Sequence, residues 1–338
     1  MKINQLDLFS GIGGFHLGFQ RAGYDVTSYF SEIDKHAIAV YKNQFKHSTY
    51  VGSVTDVRGE DLPKIDLITF GSPCQDFSLA GKRRGMEGER SSLISESIRL
   101  IDECRPSVFI WENVKGTFSS NDGEDFWAII QAFTNLGGYR IEWQLLNTSW
   151  FLPQNRERIY LVGYSTATGG DWKGVFPISE GDRGDTQQKG KEGGTSACIT
   201  TSYHKGVNYY NQLISMKVEP EKKVKQIGTR LDSNSGTQPY QQDRVYDATG
   251  ISPTLSQGKS DLIIAPEALF DGMKIRRLTP IECERLQGFP DNHTEYGEYD
   301  GEVKKMSNVQ RYKQCGNAVT VDVVYSVALR CIELFNKN

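Results

Sequence analysis

Charge of one sign is the first thing this sequence lacks. Its 338 residues carry 39 Lys+Arg against 42 Asp+Glu, a formal net charge of −3. That balance excludes a uniformly basic, histone-like binder. Any affinity for nucleic acid must come from local clusters, because counterion release depends on charge at the contact. Long apolar runs are missing too. Ile65–Phe70, Val108–Trp111 and Ile159–Val162 are strand-length, far short of the ~20 residues that span a bilayer. Met1-Lys2-Ile3-Asn4 leads straight into a strand pattern, with no apolar signal segment. The expectation is a soluble, cytoplasmic chain with no membrane partner. Cysteine is sparse. Cys74, Cys104, Cys198, Cys283, Cys315 and Cys331 form no CxxC pair and have no histidine at ligand spacing, which argues against a disulfide framework and a zinc site. No metal is expected, and no internal repeat is found.

What is present suits a buried core. Hydrophobic residues make up 38% and aromatics 11%, too much for a disordered chain. The length favours two domains, or one with a large insertion. Up to about residue 165, strand-like runs alternate with helical patterns. Strands are expected at Leu6–Ser10, Val26–Ser31, Ile65–Phe70, Val108–Trp111, Glu142–Leu146 and Ile159–Tyr164, and helices at Phe15–Ala22, Asp34–Gln44, Leu93–Glu103 and Asp125–Leu136. This predicts an α/β fold, a doubly wound, mostly parallel sheet with ligand sites at the carboxyl ends of its strands.

Between about residues 165 and 275 the texture changes to Gly, Gln, Ser, Thr and Asn with short aromatic pieces, and 13 Lys+Arg balance 13 Asp+Glu. This reads as a smaller loop- and strand-rich recognition domain, the alternative being a loop-rich insertion. A helical pattern returns over Arg276–Pro290, with Thr279-Pro280-Ile281-Glu282 as its cap. From Cys315 a Gly-Asn turn is expected to enter an apolar helix, Val319–Leu334, that folds back on the first domain. The expected division is residues 1–165 with 315–338 as the catalytic domain, 166–275 as the recognition domain, and 276–314 as its hinge and support.

Four strand ends carry chemistry. Asp7-Leu8-Phe9-Ser10-Gly11-Ile12-Gly13-Gly14 sits where the first strand becomes the first helix, where glycines let backbone N–H groups approach a ligand. A dinucleotide fingerprint would need glycine at His16. Glu32, about 20 residues on, is placed to take two ribose hydroxyls, so the pair reads as a nucleoside-containing cofactor site or as a tight packing turn. Gly71-Ser72-Pro73-Cys74-Gln75-Asp76-Phe77-Ser78 puts Cys74 at a strand end in a Gly-Pro turn, a placement that raises the case for a nucleophile against that for a structural thiol. Lys82-Arg83-Arg84-Gly85-Met86-Glu87-Gly88-Glu89-Arg90 reads as an anion-binding lid or a solvated loop. Glu112-Asn113-Val114 offers an acid beside Trp111, where desolvation would favour its protonated form. In Gln154-Asn155-Arg156-Glu157-Arg158 the two arginines are two apart, so both point to one side of an extended chain, unless they only form surface ion pairs with Glu157.

Together these blocks closely resemble the cytosine carbon-5 DNA methyltransferases over nearly the whole chain, with Arg276-Arg277-Leu278-Thr279-Pro280 through Gly288-Phe289-Pro290 and Gly316-Asn317-Ala318-Val319 completing the order. The resemblance implies a Rossmann-like methyltransferase and a DNA (cytosine-5-)-methyltransferase acting on double-stranded DNA with S-adenosylmethionine. It implies that Cys74 adds to carbon 6 of a flipped cytosine, that Glu112 engages ring nitrogen 3, and that Arg158, assisted by Arg156, holds the base. Phe9, Ser10, Gly11, Gly13, Gly14, Glu32, Ile33, Ser53, Val54, Pro73, Asn317 and Val319 would contact the cofactor. Gln75, Ser78, Lys82, Arg83, Arg84 and the Thr254-Leu255 pair would contact DNA. Asn208, Gln241, Gln242, Lys205, Arg230 and Arg244 would read or approach base edges within 196–264. Ser53 stands where the family usually has an acid, with Asp56 as the other substitute. A modification enzyme of restriction, phage or orphan type follows, working as a monomer on DNA and independently of any cognate restriction endonuclease. The competing readings are a catalytically dead DNA binder, the tRNA-methylating branch (whose Cys-Phe-Thr signature is absent between Ser165 and Ile275), and an NAD oxidoreductase.

Overall fold

Apolar alternation along the strands builds the sheet that organises the molecule. In the computed structural model the described residues are 1–72, 93–168, 174–180, 182 and 278–335, together with backbone strands at 226–229, 244–247, 263–265 and 276–277. Seven strands form one sheet: β1 (Lys2–Leu8), β2 (Asp25–Ser31), β3 (Thr49–Tyr50), β4 (Leu67–Phe70), β5 (Val108–Val114), β6 (Tyr139–Asn147) and β7 (Glu157–Ser165). Their order is β3-β2-β1-β4-β5-β7-β6. The first five run parallel, while β7 is antiparallel to both neighbours. The sheet is therefore doubly wound and mostly parallel, with one strand reversed.

Both faces are covered. Along β5, Val108 and Ile110 belong to one core and Phe109 and Trp111 to the other, the period-two pattern of a strand buried on both sides. The first core contains Phe15 and Phe19 of helix α1 (Gly14–Arg21) with Val323, Val324 and Val327. The second contains residues of α3 (Leu93–Cys104) and α4 (Glu124–Asn135). Helix α2 (Lys35–Gln44) is capped by Asp34, whose carboxylate accepts from the His36 and Ala37 N–H groups.

The later elements differ from expectation. Only Pro280–Leu286 of the Arg276–Pro290 stretch is helical (α5), opened by the expected Thr279/Glu282 capping box with proline at its start. Arg276–Arg277 is instead a strand of a small four-stranded sheet with Gln226–Thr229, Arg244–Asp247 and Ile263–Ala265. The Gly-Asn turn is not free-standing: Gly316 and Asn317 end a helix, α6 (Asn308–Asn317). The final apolar helix starts at Val321, not Val319, as α7 (Val321–Arg330) and α8 (Ile332–Phe335). Thr320 has extended backbone at φ −76° and ψ 119°, which breaks α6 from α7.

The segment leaving the sheet is moored. Glu142 accepts from the Val175 and Phe176 N–H groups, and the Gln144 amide pairs with Ile178 in both directions. Later in the chain, a buried cluster ties residues 284–311 together. Glu284 accepts from Arg311 Nη2 at 2.9 Å and from the Asn292 and Thr294 N–H groups.

Candidate active site

The sheet register fixes where the candidate residues stand. Leu8 pairs with Ser31 on one side and Phe70 on the other, and Phe70 pairs with Trp111. The next residue on each strand therefore forms a row, Glu32, Phe9, Gly71 and Glu112, at the carboxyl edge. Neighbouring strands in a sheet lie about 4.8 Å apart. The chain winds outward from β1 in one direction and from β4 in the other, so Phe9 and Gly71 flank the topological switch point, where open α/β sheets bind ligands.

On one side of the switch point is the glycine turn. Phe9, Gly11 and Gly13 all have positive φ, at 51°, 54° and 83°. For Phe9 that is an uncommon backbone state, of the kind found at ligand sites. A side chain at Gly13 would strike Phe45, and one at Gly14 would lie 2.6 Å from Val319 Cγ2, so the terminal motif packs directly on the turn. Among the described residues, nothing lies within 4 Å of a Cβ added at Gly11. Glu32 accepts from the Gly11 N–H at 2.9 Å and from the Ile33 and Asp34 N–H groups. Ile33 is 80% exposed, unusual for so large an apolar side chain, while Ser10 Oγ is buried and has no hydrogen-bond partner among the described residues. Ser53 Oγ is 3.0 Å from Thr55 Oγ1. Val54 is buried in the second core and its carbonyl accepts from Arg99, so its side chain does not line the surface with Ser53.

Beneath the turn lies a buried polar cluster. Asp7 accepts from Thr69 Oγ1 at 2.8 Å and Tyr41 Oη at 3.3 Å. Tyr41 Oη also meets Ser28 Oγ and His16 Nδ1. Burial raises the Asp7 carboxyl to about 8, so it is largely protonated at neutral pH. Burial also lowers His16, stacked on Phe45, to about 4. His293, whose Nε2 is 2.8 Å from the Ile12 carbonyl, is lowered by burial to about 4 as well.

On the other side stand an acid and an arginine. Glu112 is buried, and its Oε1 lies 3.2 Å from Arg158 Nε. The register opposes Val114 to Arg158 and Glu112 to Tyr160, so Arg158 reaches the acid diagonally across the antiparallel pair. An added Cβ at Gly71 would lie 3.2 Å from Glu112 Oε2; the absent side chain gives the carboxylate its room. Trp111 Nε1 donates to Ser72 Oγ at 3.1 Å, and Asn113 Nδ2 donates to the Ser72 carbonyl at 3.1 Å. Alternate residues of β5 thus fix the backbone just before Pro73 and Cys74. Asn113 and Gly71 were legible only as members of their motifs; their roles emerge from the register.

The two arginines do not converge. β7 begins at Glu157, so Arg156 precedes the pleated strand and the alternation rule does not reach it. Its guanidinium is buried and donates to the Gly316 and Ala318 carbonyls at 3.2 and 2.9 Å. Asn317 lies between them, exposed. Pro73, Cys74, Gln75, Ser78, Lys82, Arg83, Arg84, Thr254 and Leu255 fall outside the described residues, as do Asn208, Gln241, Gln242, Lys205 and Arg230. For Arg244 only the backbone strand is described. Among the described residues no group of acids, histidines and cysteines could hold a metal, and no helix is long and apolar enough to cross a membrane.

A doubly wound sheet with one reversed strand, a glycine turn at its switch point and an acid–arginine pair beside it is the Rossmann-like fold of methyltransferases. The same fold is seen in the crystal structure of S. pombe Dnmt2 methyltransferase, at a TM-score of 0.65 and 18% identity, covering 98% of this chain and 99% of that one. The chain belongs to the C-5 cytosine-specific DNA methylase family, which matches residues 3–333; it is a DNA (cytosine-5-)-methyltransferase, and DNA is its substrate. It is 32% identical over 342 residues to the type II methyltransferase M1.ScrFI of Lactococcus lactis subsp. cremoris, covering 100% of this chain and 80% of that one. It is 31% identical over 329 residues to the type II methyltransferase M.Bsp6I of Bacillus sp. (strain RFL6), covering 95% and 96%.

Proposed function

We propose that this chain methylates carbon 5 of a cytosine flipped out of a specific duplex site, with Cys74 as nucleophile, Glu112 as acid, Arg158 as base-holding cation and S-adenosylmethionine as cofactor. The observation that carries this reading is the register row of Glu32, Phe9, Gly71 and Glu112. It supports a reading with a nucleoside-type site on one side of the switch point and, on the other, an acid beside the residues that lead into Cys74.

An aromatic carbon is inert to methylation until it is made nucleophilic. The Cys74 thiolate forms a bond to carbon 6, and ring nitrogen 3 receives a proton or hydrogen bond from Glu112, so electron density moves to carbon 5. Arg158 holds Glu112 from one edge and faces the developing charge on the ring. Positioned acids of this kind typically contribute ~100- to 10,000-fold. After transfer, carbon 5 loses its proton, the bond from Cys74 breaks, and the thiolate is regenerated. Flipping costs a few kcal/mol, which contacts between the enzyme and the DNA must offset.

The residues on the other side fit S-adenosylmethionine, which supplies the methyl group when bound. Ile33 offers an exposed apolar ledge for a purine, Glu32 a carboxylate for two ribose hydroxyls, and Gly11 an uncrowded backbone. The Ser10 hydroxyl, without a partner among the described residues, offers a hydrogen bond, and Ser53 takes the place of the usual acid. Phe9, Gly13, Gly14, Pro73, Asn317 and Val319 complete the site. In this reading residues 1–165 and 315–338 carry the chemistry, 166–275 read the DNA, and 276–314 support them. The enzyme works in the cytoplasm as a monomer, as the modification half of a restriction system or as an orphan, independently of any endonuclease.

The test is bisulfite sequencing of DNA from a host expressing the chain, beside Cys74→Ser. A new 5-methylcytosine site in the first culture and none in the second is expected. Equal methylation by both would remove Cys74 from the mechanism. Duplex DNA carrying 5-fluorocytosine at the site should trap the wild type as a denaturant-resistant adduct, since fluorine cannot leave as a proton does.

A further inference from the structure

The segment from Cys315 to Val321, which ends α6 and starts α7, is held by side chains from two distant parts of the chain. Arg156 donates to the carbonyls on either side of Asn317, Gly316 at 3.2 Å and Ala318 at 2.9 Å. Gln287, fully buried just after α5, grips both ends of the same segment. Its Nε2 donates to the Cys315 carbonyl at 2.9 Å, its Oε1 accepts from Thr320 Oγ1 at 3.0 Å, and its carbonyl accepts from the Val321 N–H at 2.9 Å. Thr148 Oγ1, 2.8 Å from Thr320 Oγ1, completes the set. Asn317 is left exposed between two fixed carbonyls, and Val319 is pressed onto Gly14.

We infer that Arg156 and Gln287 are positioning residues that hold the Gly316–Val319 turn against the glycine turn and thereby set cofactor affinity, with Arg156 taking no part in holding the base. The inference rests on the S-adenosylmethionine reading above. Its physical basis is that a buried carbonyl needs a donor, and that the fork geometry of a guanidinium fixes two acceptors at once where a lysine fixes one. Two residues along the chain, Arg158 meets Glu112 instead. The Arg-x-Arg pair thus divides its work between the cofactor side and the base side of the crevice. Gln287 follows the helix that succeeds the recognition region, so the same clamp ties that region's support to the cofactor turn.

The experiment compares wild type, Gln287→Met and Arg156→Lys by calorimetric titration with S-adenosylhomocysteine, by initial rates against S-adenosylmethionine, and by gel shift on duplex DNA. Both variants should weaken S-adenosylhomocysteine binding and raise KM for S-adenosylmethionine about tenfold, equivalent to ~1.4 kcal/mol. Saturated kcat should stay within about twofold and DNA affinity should be unchanged, a split that general destabilisation would not produce. Unaltered binding by a folded Gln287→Met would overturn the inference. So would an Arg156→Lys enzyme that loses kcat at constant KM, since that result returns Arg156 to the base. If Gln287→Met does not fold, Thr320→Val removes the hydroxyl that orients the Gln287 amide. It should weaken S-adenosylhomocysteine binding about threefold, and an unchanged Kd would again refute the clamp. Failure of the wild type itself to bind S-adenosylhomocysteine would instead refute the cofactor reading.

Discussion

Replacing Asp7 by Asn should change how stability depends on pH, and the size of the change follows from the buried cluster beneath the glycine turn. Asp7 is fully buried, and its carboxyl is raised from 3.8 to about 8. Between those values the folded chain holds a proton that the unfolded chain releases. Its contribution is therefore fully present below pH 3.8 and is lost as pH rises through about 8, at ~1.4 kcal/mol per pH unit. His16 and His293 work in the opposite sense. Both are lowered from 6.5 to about 4 by burial, so their contribution is present above pH 6.5 and lost as pH falls towards 4. Asn at position 7 can still accept from Thr69, and its amide can donate to Tyr41 Oη while that hydroxyl donates to Ser28. Asp7→Asn should thus gain stability relative to wild type by roughly 4 kcal/mol between pH 5 and pH 8, an upper bound set by the full shift. Groups titrating equally in both proteins, such as Glu142, Asp322 and the two histidines, cancel in this difference. The assay is urea unfolding followed by tryptophan fluorescence at half-unit pH steps. A stability difference that does not vary with pH would show that Asp7 is charged in the folded protein, and the reasoning from burial would fail.

Three further outcomes are expected. Gly71→Ala must push Glu112 Oε2 by a few tenths of an ångström from its 3.2 Å clearance, so single-turnover methylation should slow by about ten- to a hundredfold, with the unfolding midpoint little changed; a normal rate would mean that the acid has slack. Glu112→Gln should slow methyl transfer by ~100- to 10,000-fold and alter the pH–rate profile, and a variant of wild-type rate would make Glu112 structural. Exchange of residues 196–264, where eight Lys+Arg meet six Asp+Glu, for the matching part of a relative with different specificity should move the methylated site, read by bisulfite sequencing; an active hybrid that keeps the old site would place recognition elsewhere.

How much of this was legible in the sequence depended on whether burial was apolar. The strands were found because Leu67–Phe70 and Val108–Trp111 are buried on both faces and so read as short apolar runs, broken only by Thr69. The reversal of β7 was not legible, because an apolar run carries no direction. Helix α6 was missed for a clearer reason. The residues it buries are Arg311, Gln314, Cys315 and Gly316, so it has no apolar stripe, and Arg311 is held by polar contacts to Thr294 and Glu284. That these motifs stand at the carboxyl edge of the sheet was legible, since Gly-rich exits and acids there are local features. The division of work between Arg156 and Arg158 was not, because it depends on where β7 begins and on carbonyls some 160 residues away.

The packing of α1 on α7 has a consequence for the order in which the chain comes to life. Gly18 leaves so little room that an added Cβ would sit 2.4 Å from Val324 Cγ1, and Phe15 and Phe19 share one core with Val323, Val324 and Val327. These partners are separated by roughly 300 residues, which a ribosome at 5–20 residues per second takes about 15–60 s to deliver. Until then the nascent protein carries an uncovered aromatic face immediately behind its glycine turn. That face would be a target for chaperones, and the turn would lack the Val319 contact that seats it. Translation itself thus imposes a delay: the face of α1 and the glycine turn before it gain their packing partners only after the last part of the chain has been made.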